Sequence, residues 1–152
     1  MKNLFKSFVF LSGAALISFA LMPVKANSQI VSAPGGGVWS VPATWLGGIV
    51  PTASDDVIIE SAVNVNGNSC NNIQVVSGGI LQNLSNNYYT LNVYGNLTNA
   101  GDVSNNTDFG LSLNVYGNLI NEGIMSNTSL NFCGSGNQQI SSGQPFSLAN
   151  FT

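Results

Sequence analysis

Residues 91–101 read LNVYGNLTNAG and residues 113–123 read LNVYGNLINEG, nearly the same letters written twice at an offset of 22 positions (113 − 91). In each copy apolar and polar residues alternate up to the tyrosine, the period-2 pattern of a strand with one buried face. A glycine follows, then a second short apolar stretch, a turn (Asn99-Ala100-Gly101 or Asn121-Glu122-Gly123) and a third stretch. Three short strands separated by Gly/Asn corners make one coil of a parallel β-helix. Equal letters at equal positions then have a physical cause: successive coils lie about 4.8 Å apart, so each residue packs on its own equivalent.

Outward from this pair, a pentapeptide of the type Leu/Val-Asn-Val/Phe-any-Gly occurs four times: VNVNG from Val63, LNVYG from Leu91 and from Leu113, and LNFCG from Leu130. The starts are 28, 22 and 17 residues apart (91 − 63, 113 − 91, 130 − 113), an imperfect repeat. Alternation turns Leu91, Val93, Leu113, Val115, Leu130 and Phe132 inward. It turns Asn92, Asn114 and Asn131 outward, together with Tyr94, Tyr116 and Cys133. Asparagine suits the corners because it tolerates left-handed backbone angles and bonds its own backbone. Asn96 over Asn118 and Asn99 over Asn121 are expected to form side-chain ladders.

An antiparallel β-sandwich is the alternative, since it also shows short alternating strands at regular spacing. A sandwich, however, has no need for the same residue at the same position of successive units. After residue 27, β-branched residues, Asn and Gly predominate and no 3.6-residue apolar stripe persists, so helix is not expected. The expected fold is therefore all-β, a right-handed parallel β-helix (β-solenoid) with an N-terminal capping segment.

Charge divides the chain unevenly. Its formal net charge is −3, and all three basic residues, Lys2, Lys6 and Lys25, bracket the apolar run FVFLSGAALISFALM. A basic start, a short apolar middle and small residues at Val24 and Ala26 read as a signal peptide over residues 1–26, cut after Ala26 and not followed by a lipidated cysteine. The remainder has no Lys, Arg or His and six acidic residues, Asp55, Asp56, Glu60, Asp102, Asp108 and Glu122, hence a side-chain charge of −6. Nucleic acid and anionic lipid are excluded as partners, because affinity for phosphate comes mostly from Lys and Arg. No membrane span is expected once the signal peptide is removed. A hydrophobic fraction of 44% is too high for disorder by composition.

Residues 27–62 are expected to form a cap and the first strand, with Trp39 and Trp45 plugging the apolar end and a strand beginning at Val57. Residues 63–152 are expected to form the rungs. Because the chain stops at Thr152 in mid-rung, a truncated solenoid is expected.

The segment Trp39-Ser40, Thr44-Trp45, Gly48, Val50-Pro51, Asp55, Val57 and Ile59, followed by IQVVSGGIL, resembles the start of secreted Bacteroidota solenoid proteins. It is also similar to the related extracellular domain named for its eight glycines. The ending LNFCGSGNQQISSGQPFSLANFT resembles the closing rung of the same proteins. The resemblance covers most of residues 37–152. It implies export to the cell surface or medium, often by the type IX route and from a longer chain.

Catalysis would rest on carboxylates alone. Without His, Lys or Arg there is no Ser-His-Asp triad, no Cys-His pair and no base for eliminating across acidic sugars. Glycoside hydrolysis needs two carboxyls about 5 to 9.5 Å apart across one cleft. Asp55 and Asp56 are adjacent and face opposite ways in an extended chain, whereas Asp102, Asp108 and Glu122 lie near corners of different coils and could meet. Solvated surface charge is the simpler reading of these acids. The Asp55-Asp56 pair is a weak calcium candidate, since calcium takes carboxylate oxygens, against the plainer reading of a turn into the next strand. No other metal site and no cofactor are expected.

Two cysteines in an exported chain suggest a disulfide, but Cys70 falls in the first rung and Cys133 in the fourth. Three coil spacings, ~14 Å, exceed the ~7 Å that a disulfide spans. Both are expected to be free, with Cys133 stacked outside Tyr116 and Cys70 at the position of Thr98. Tyr94 and Tyr116 are spaced to stack on one outer face, with Tyr88 and Tyr89 in the preceding loop, either as structural stacking or as a glycan-contact face. The expected function is a secreted or cell-surface, non-enzymatic, adhesin-like module for a glycan or protein ligand. The alternative is part of an extracellular glycan-active hydrolase working through Asp and Glu.

Overall fold

The computed structural model describes residues 29–85, 87–105 and 109–152. The signal-peptide segment 1–26 and Asp108 lie outside the described residues. Sixteen short strands follow one another: β1 Gln29–Val31, β2 Gly37–Val38, β3 Asp56–Ile59, β4 Ala62–Val65, β5 Asn68–Cys70, β6 Ile73–Val75, β7 Ile80–Asn83, β8 Tyr89–Val93, β9 Leu97–Asn99, β10 Asp102–Ser104, β11 Leu111–Val115, β12 Leu119–Asn121, β13 Ile124–Ser126, β14 Ser129–Phe132, β15 Ile140–Ser142 and β16 Asn150–Phe151. Among the described residues only two short 3-10 turns, Pro42–Thr44 and Leu46–Gly48, interrupt them, and no helix is long and apolar enough to cross a membrane.

Between β3 and β15 every third strand returns to the same sheet. The orders are β1-β3-β6-β9-β12-β15 (sheet 1), β2-β4-β7-β10-β13 (sheet 2) and β5-β8-β11-β14-β16 (sheet 3), a β-solenoid of about five turns. All neighbouring strands pair in parallel, and the quoted stretch pairs with its own copy: Leu91 with Leu113, Asn92 with Asn114, Val93 with Val115. Parallel pairing at this point rules out the antiparallel sandwich.

Burial explains why these residues make strands. The inward positions Leu91, Val93, Leu113, Val115 and Leu130 are fully buried, each worth about 1.5–3 kcal/mol when removed from water. Phe132 also points inward but is half-buried, its ring 5.7 Å from Phe151 in the last coil. From sheets 1 and 2, Ile59, Val75, Leu97, Leu119, Leu81 and Val103 complete the core.

Two positions differ from the sequence reading. VNVNG is no copy of LNVYG: β4 lies in sheet 2, against β2 and β7, and the first strand of the LNVYG column is β5, where Asn68 is opposite Leu91. The two segments share a period-2 pattern, and that pattern cannot distinguish one sheet of the coil from another. Consequently Cys70 is opposite Val93, inside the core, and not at the position of Thr98, which is opposite Gln74.

The first coil is built from the N-terminal segment. β1, β2 and β3 are the opening strands of sheets 1 and 2. Trp39 donates its backbone N–H to the Asn64 carbonyl at 2.9 Å, continuing the β2–β4 ladder. Trp39 and Trp45 are both buried, with ring centroids 5.0 Å apart at 73°, and the Trp45 indole donates to the Trp39 carbonyl at 2.7 Å. The pair fills the interior at this end of the solenoid.

Candidate functional site

Corner lengths vary from coil to coil. Between sheets 2 and 3 the chain uses two residues from β4 to β5 (66–67) and two from β13 to β14 (127–128), but five from β7 to β8 (84–88) and six from β10 to β11 (105–110). Two longer corners on adjacent coils therefore lead into β8 and β11 of sheet 3. In repeat proteins, insertions that recur on one side commonly mark the binding side.

The outer face of sheet 3 carries three parallel rows. Thr90, Ser112, Ser129 and Asn150 are mutually opposite in the first. Asn92, Asn114 and Asn131 form the second, as the alternation predicts. Asn114 Nδ2 donates to Asn92 Oδ1 at 2.9 Å, Asn131 Nδ2 to Asn114 Oδ1 at 2.8 Å, and Thr152 Oγ1 to Asn131 Oδ1 at 2.6 Å. An amide has two N–H groups and two lone pairs on oxygen; the ladder at Asn114 uses one of each and orients the rest. Tyr94 and Tyr116 make the third row, with centroids 5.1 Å apart, rings tilted by 31° and exposures of 49% and 38%. They lie one above the other, as expected, and each partly covers the other.

The corner between sheets 3 and 1 is a staircase. Asn72 Oδ1 accepts the N–H of Asn96, Asn96 Oδ1 that of Asn118, and Asn118 Oδ1 that of Gln139, each at 2.8 Å. The expected Asn96–Asn118 ladder is thus a side-chain-to-backbone chain. The Asn99–Asn121 ladder is amide to amide at 2.8 Å and fully buried, because both side chains turn into the core. Asp56 starts the staircase: its Oδ1 accepts from Asn71 Nδ2 (2.7 Å), Asn72 Nδ2 (2.8 Å) and Asn72 N (3.1 Å). Asp55 Oδ2 closes the preceding turn on the Thr52 N–H and hydroxyl at 2.9 and 2.7 Å. The two carboxylates thus serve separate local structures, and among the described residues no group of three His, Cys, Asp or Glu side chains converges.

Asp102 and Glu122 do come together, lining one groove of about 420 Å³ at the corner between sheets 1 and 2 with Gly79, Gly101, Ile80 and Ile124. Asp102 Oδ1 is buried and has no hydrogen-bond partner among the described residues. The floor is made of glycine because the coils touch there: a Cβ on Gly101 would lie 2.4 Å from the Gly79 carbonyl oxygen, and one on Gly123 2.3 Å from that of Gly101.

Cys70 and Cys133 are both free, as the coil spacing requires. Burial, reinforced by the negative charge of Asp56, pushes the Cys70 thiol up to about 12, whereas Cys133 is exposed beyond Tyr116.

Sequence reasoning placed Tyr88 in a loop and gave it no role. It is the most exposed aromatic ring described, at 70%, packed edge to face on Phe109 with centroids 5.6 Å apart. The available signal was parity: Tyr88, Thr90, Asn92 and Tyr94 are spaced by two and share a face. Comparison with known proteins finds no matching protein family, no matching curated protein and no matching solved structure.

Proposed function

We propose that the protein is a secreted or cell-surface interaction module, an adhesin-like solenoid without catalytic activity, which holds a neutral glycan on the outer face of sheet 3. The observation that carries this reading is the uncharged array of hydroxyls, laddered amides and Tyr94/Tyr116 on β8, β11 and β14. Pre-oriented amides suit sugar hydroxyls, and tyrosines offer an apolar body with a polar tip. A chain whose residues beyond 26 hold no basic group has nothing to attract a sulfated or uronic-acid polymer. The signal-peptide pattern and the resemblance to secreted Bacteroidota solenoid proteins support an extracellular location.

A second reading is favoured by one observation. Asp102 and Glu122 share a groove, and glycoside hydrolysis requires two carboxyls on one cleft. One experiment addresses both. Full-length protein is mixed with insoluble cellulose, chitin and xylan, the bound fraction is measured, and the supernatant is assayed for released reducing sugar. Retention that is lost in the Tyr94→Ala/Tyr116→Ala double variant, without sugar release, is the expected result. Retention unchanged in that variant would remove the proposed face. Sugar release abolished by Asp102→Asn or Glu122→Gln would replace the binding module by a hydrolase.

A further inference from the structure

We infer that strand β8 acts as a ruler for a linear, neutral oligosaccharide, which lies along the strand, across the solenoid axis, with one sugar ring stacked on Tyr88 and a distant one against Tyr94 and Tyr116. This rests on the glycan-binding face proposed above and adds a second anchor, a direction and a minimum ligand length. Tyr88 immediately precedes β8 and Tyr94 immediately follows it. Six residue steps at about 3.3 Å each place the two aromatic positions roughly 20 Å apart, several times the width of one sugar ring.

The Tyr88 platform is built. Tyr89 is opposite Leu111, so Gly110 of the next coil lies opposite Tyr88, and the ring rests over it. A Cβ on Gly110 would come to 3.2 Å from Tyr88 Cδ1 and 3.4 Å from Cε1. The seat is fixed from below. Buried Asn83 donates to the Phe109 carbonyl at 2.8 Å, Leu111 N donates to Asn105 Oδ1 at 2.6 Å, and Tyr89 N donates to the Gly110 carbonyl at 3.1 Å. Of these groups, Asn105, Phe109 and Gly110 belong to the longer corner 105–110, and Tyr88 itself to the corner 84–88. Tyr88 is also more exposed than Tyr94 and Tyr116, which stack on each other.

Beside Tyr88 a groove of about 320 Å³ crosses four successive coils at this end of β8, lined by Thr90, Ser112, Ser129, Asn105 and Asn127 among others and, among the described residues, by no charged side chain. Hydroxyl and amide walls next to an exposed aromatic ring match the alternating polar rim and apolar face of a pyranose.

The test uses full-length protein and linear oligosaccharides of β-1,4-glucan, β-1,4-xylan and chitin, from disaccharide to octasaccharide, with affinity measured by calorimetry. Affinity should rise about tenfold, the equivalent of ~1.4 kcal/mol, once the oligosaccharide reaches both anchors, and then level off. Tyr88→Ala should remove that step and leave the shorter ligands unaffected; Tyr88→Phe, which keeps the ring, should retain it. An affinity that does not depend on length, a step that survives Tyr88→Ala, or its loss in Tyr88→Phe would overturn the ruler. In those cases the glycan face still stands if Tyr94→Ala/Tyr116→Ala weakens every ligand. If that double variant binds as wild type, or wild type binds none of the series, the face falls and the ruler with it.

Discussion

The two cysteines show how much one register position decides. Cys70 follows Ser69 opposite Val93, so its sulfur is sealed in the core, while Cys133 sits one residue beyond the inward Phe132 and faces water. A thiol reacts as its thiolate, and desolvation opposes the charge. In native protein at pH 8, iodoacetamide should therefore label Cys133 alone, and both cysteines after unfolding in urea; mass spectrometry counts the adducts, and double labelling of native protein would contradict the burial. The pH dependence follows in sign. The folded-state pKa of Cys70 is raised to about 12 from an ordinary value of 9.0. Below pH 9 both states keep the proton and stability is unaffected. Between pH 9 and 12 only the unfolded chain releases it, so stability falls as pH rises, by no more than about 1.4 kcal/mol per pH unit. Cys70→Ala should remove that part of the slope in urea melts.

At the scale of the element, corners and ladders hold the strands in register. Asn99 receives the Gly101 N–H on its Oδ1 at 3.0 Å and donates to Asn121 Oδ1 and the Ile124 carbonyl, each at 2.8 Å. It ties β9 to β12 and to the start of β13. Asn99→Ala would leave buried partners unpaired, at about 1–3 kcal/mol for each. Gly123→Ala would force a Cβ to 2.3 Å from the Gly101 carbonyl oxygen, backbone that neighbouring coils hold in place. Urea denaturation should show both variants destabilised by well over the ~1 kcal/mol typical of a single substitution, and a Gly123→Ala protein as stable as wild type would mean the coils are less closely stacked. The outward face of Asn92 and its equivalents was legible because period 2 assigns it, and the Asn99–Asn121 stack was legible from the 22-residue offset. The inward turn of Asn99 and Asn121 was not, since a polar residue is buried only where a partner waits, and the partners belong to other coils.

For the whole molecule, stacking makes stability a sum of nearest-neighbour terms, so position along the axis governs local stability. Coils in the middle are covered on both sides. In the last coil, Ile140 and Phe151 are 44% and 55% exposed and each of β15 and β16 has a partner on one side only. Hydrogen exchange followed by mass spectrometry should find the strongest protection in β6 to β12 and the weakest in β15 and β16. Uniform protection would indicate a single cooperative unit in place of coupled coils. The Trp39–Trp45 plug predicts the opposite end to be better protected than the C-terminal one.

From sequence alone came the strand type, the parallel stacking and the inward and outward sets of the quoted repeat. Each follows from local parity and from identity at a 22-residue offset, and neither needs a third dimension to be read. The absence of basic groups after residue 26 is likewise read without reference to any fold. Which strand belongs to which sheet, and hence the surroundings of Cys70 and VNVNG, depended on corner lengths that vary from two to six residues between sheets 2 and 3. Loop closure costs little per added residue, so sequence spacing is a loose guide to register. The groove shared by Asp102 and Glu122, the staircase from Asp56 to Gln139 and the seat of Tyr88 over Gly110 were likewise decided only by tertiary structure. Their members come from different coils, some 16 to 24 residues apart in the chain, and are brought together only when the coils stack.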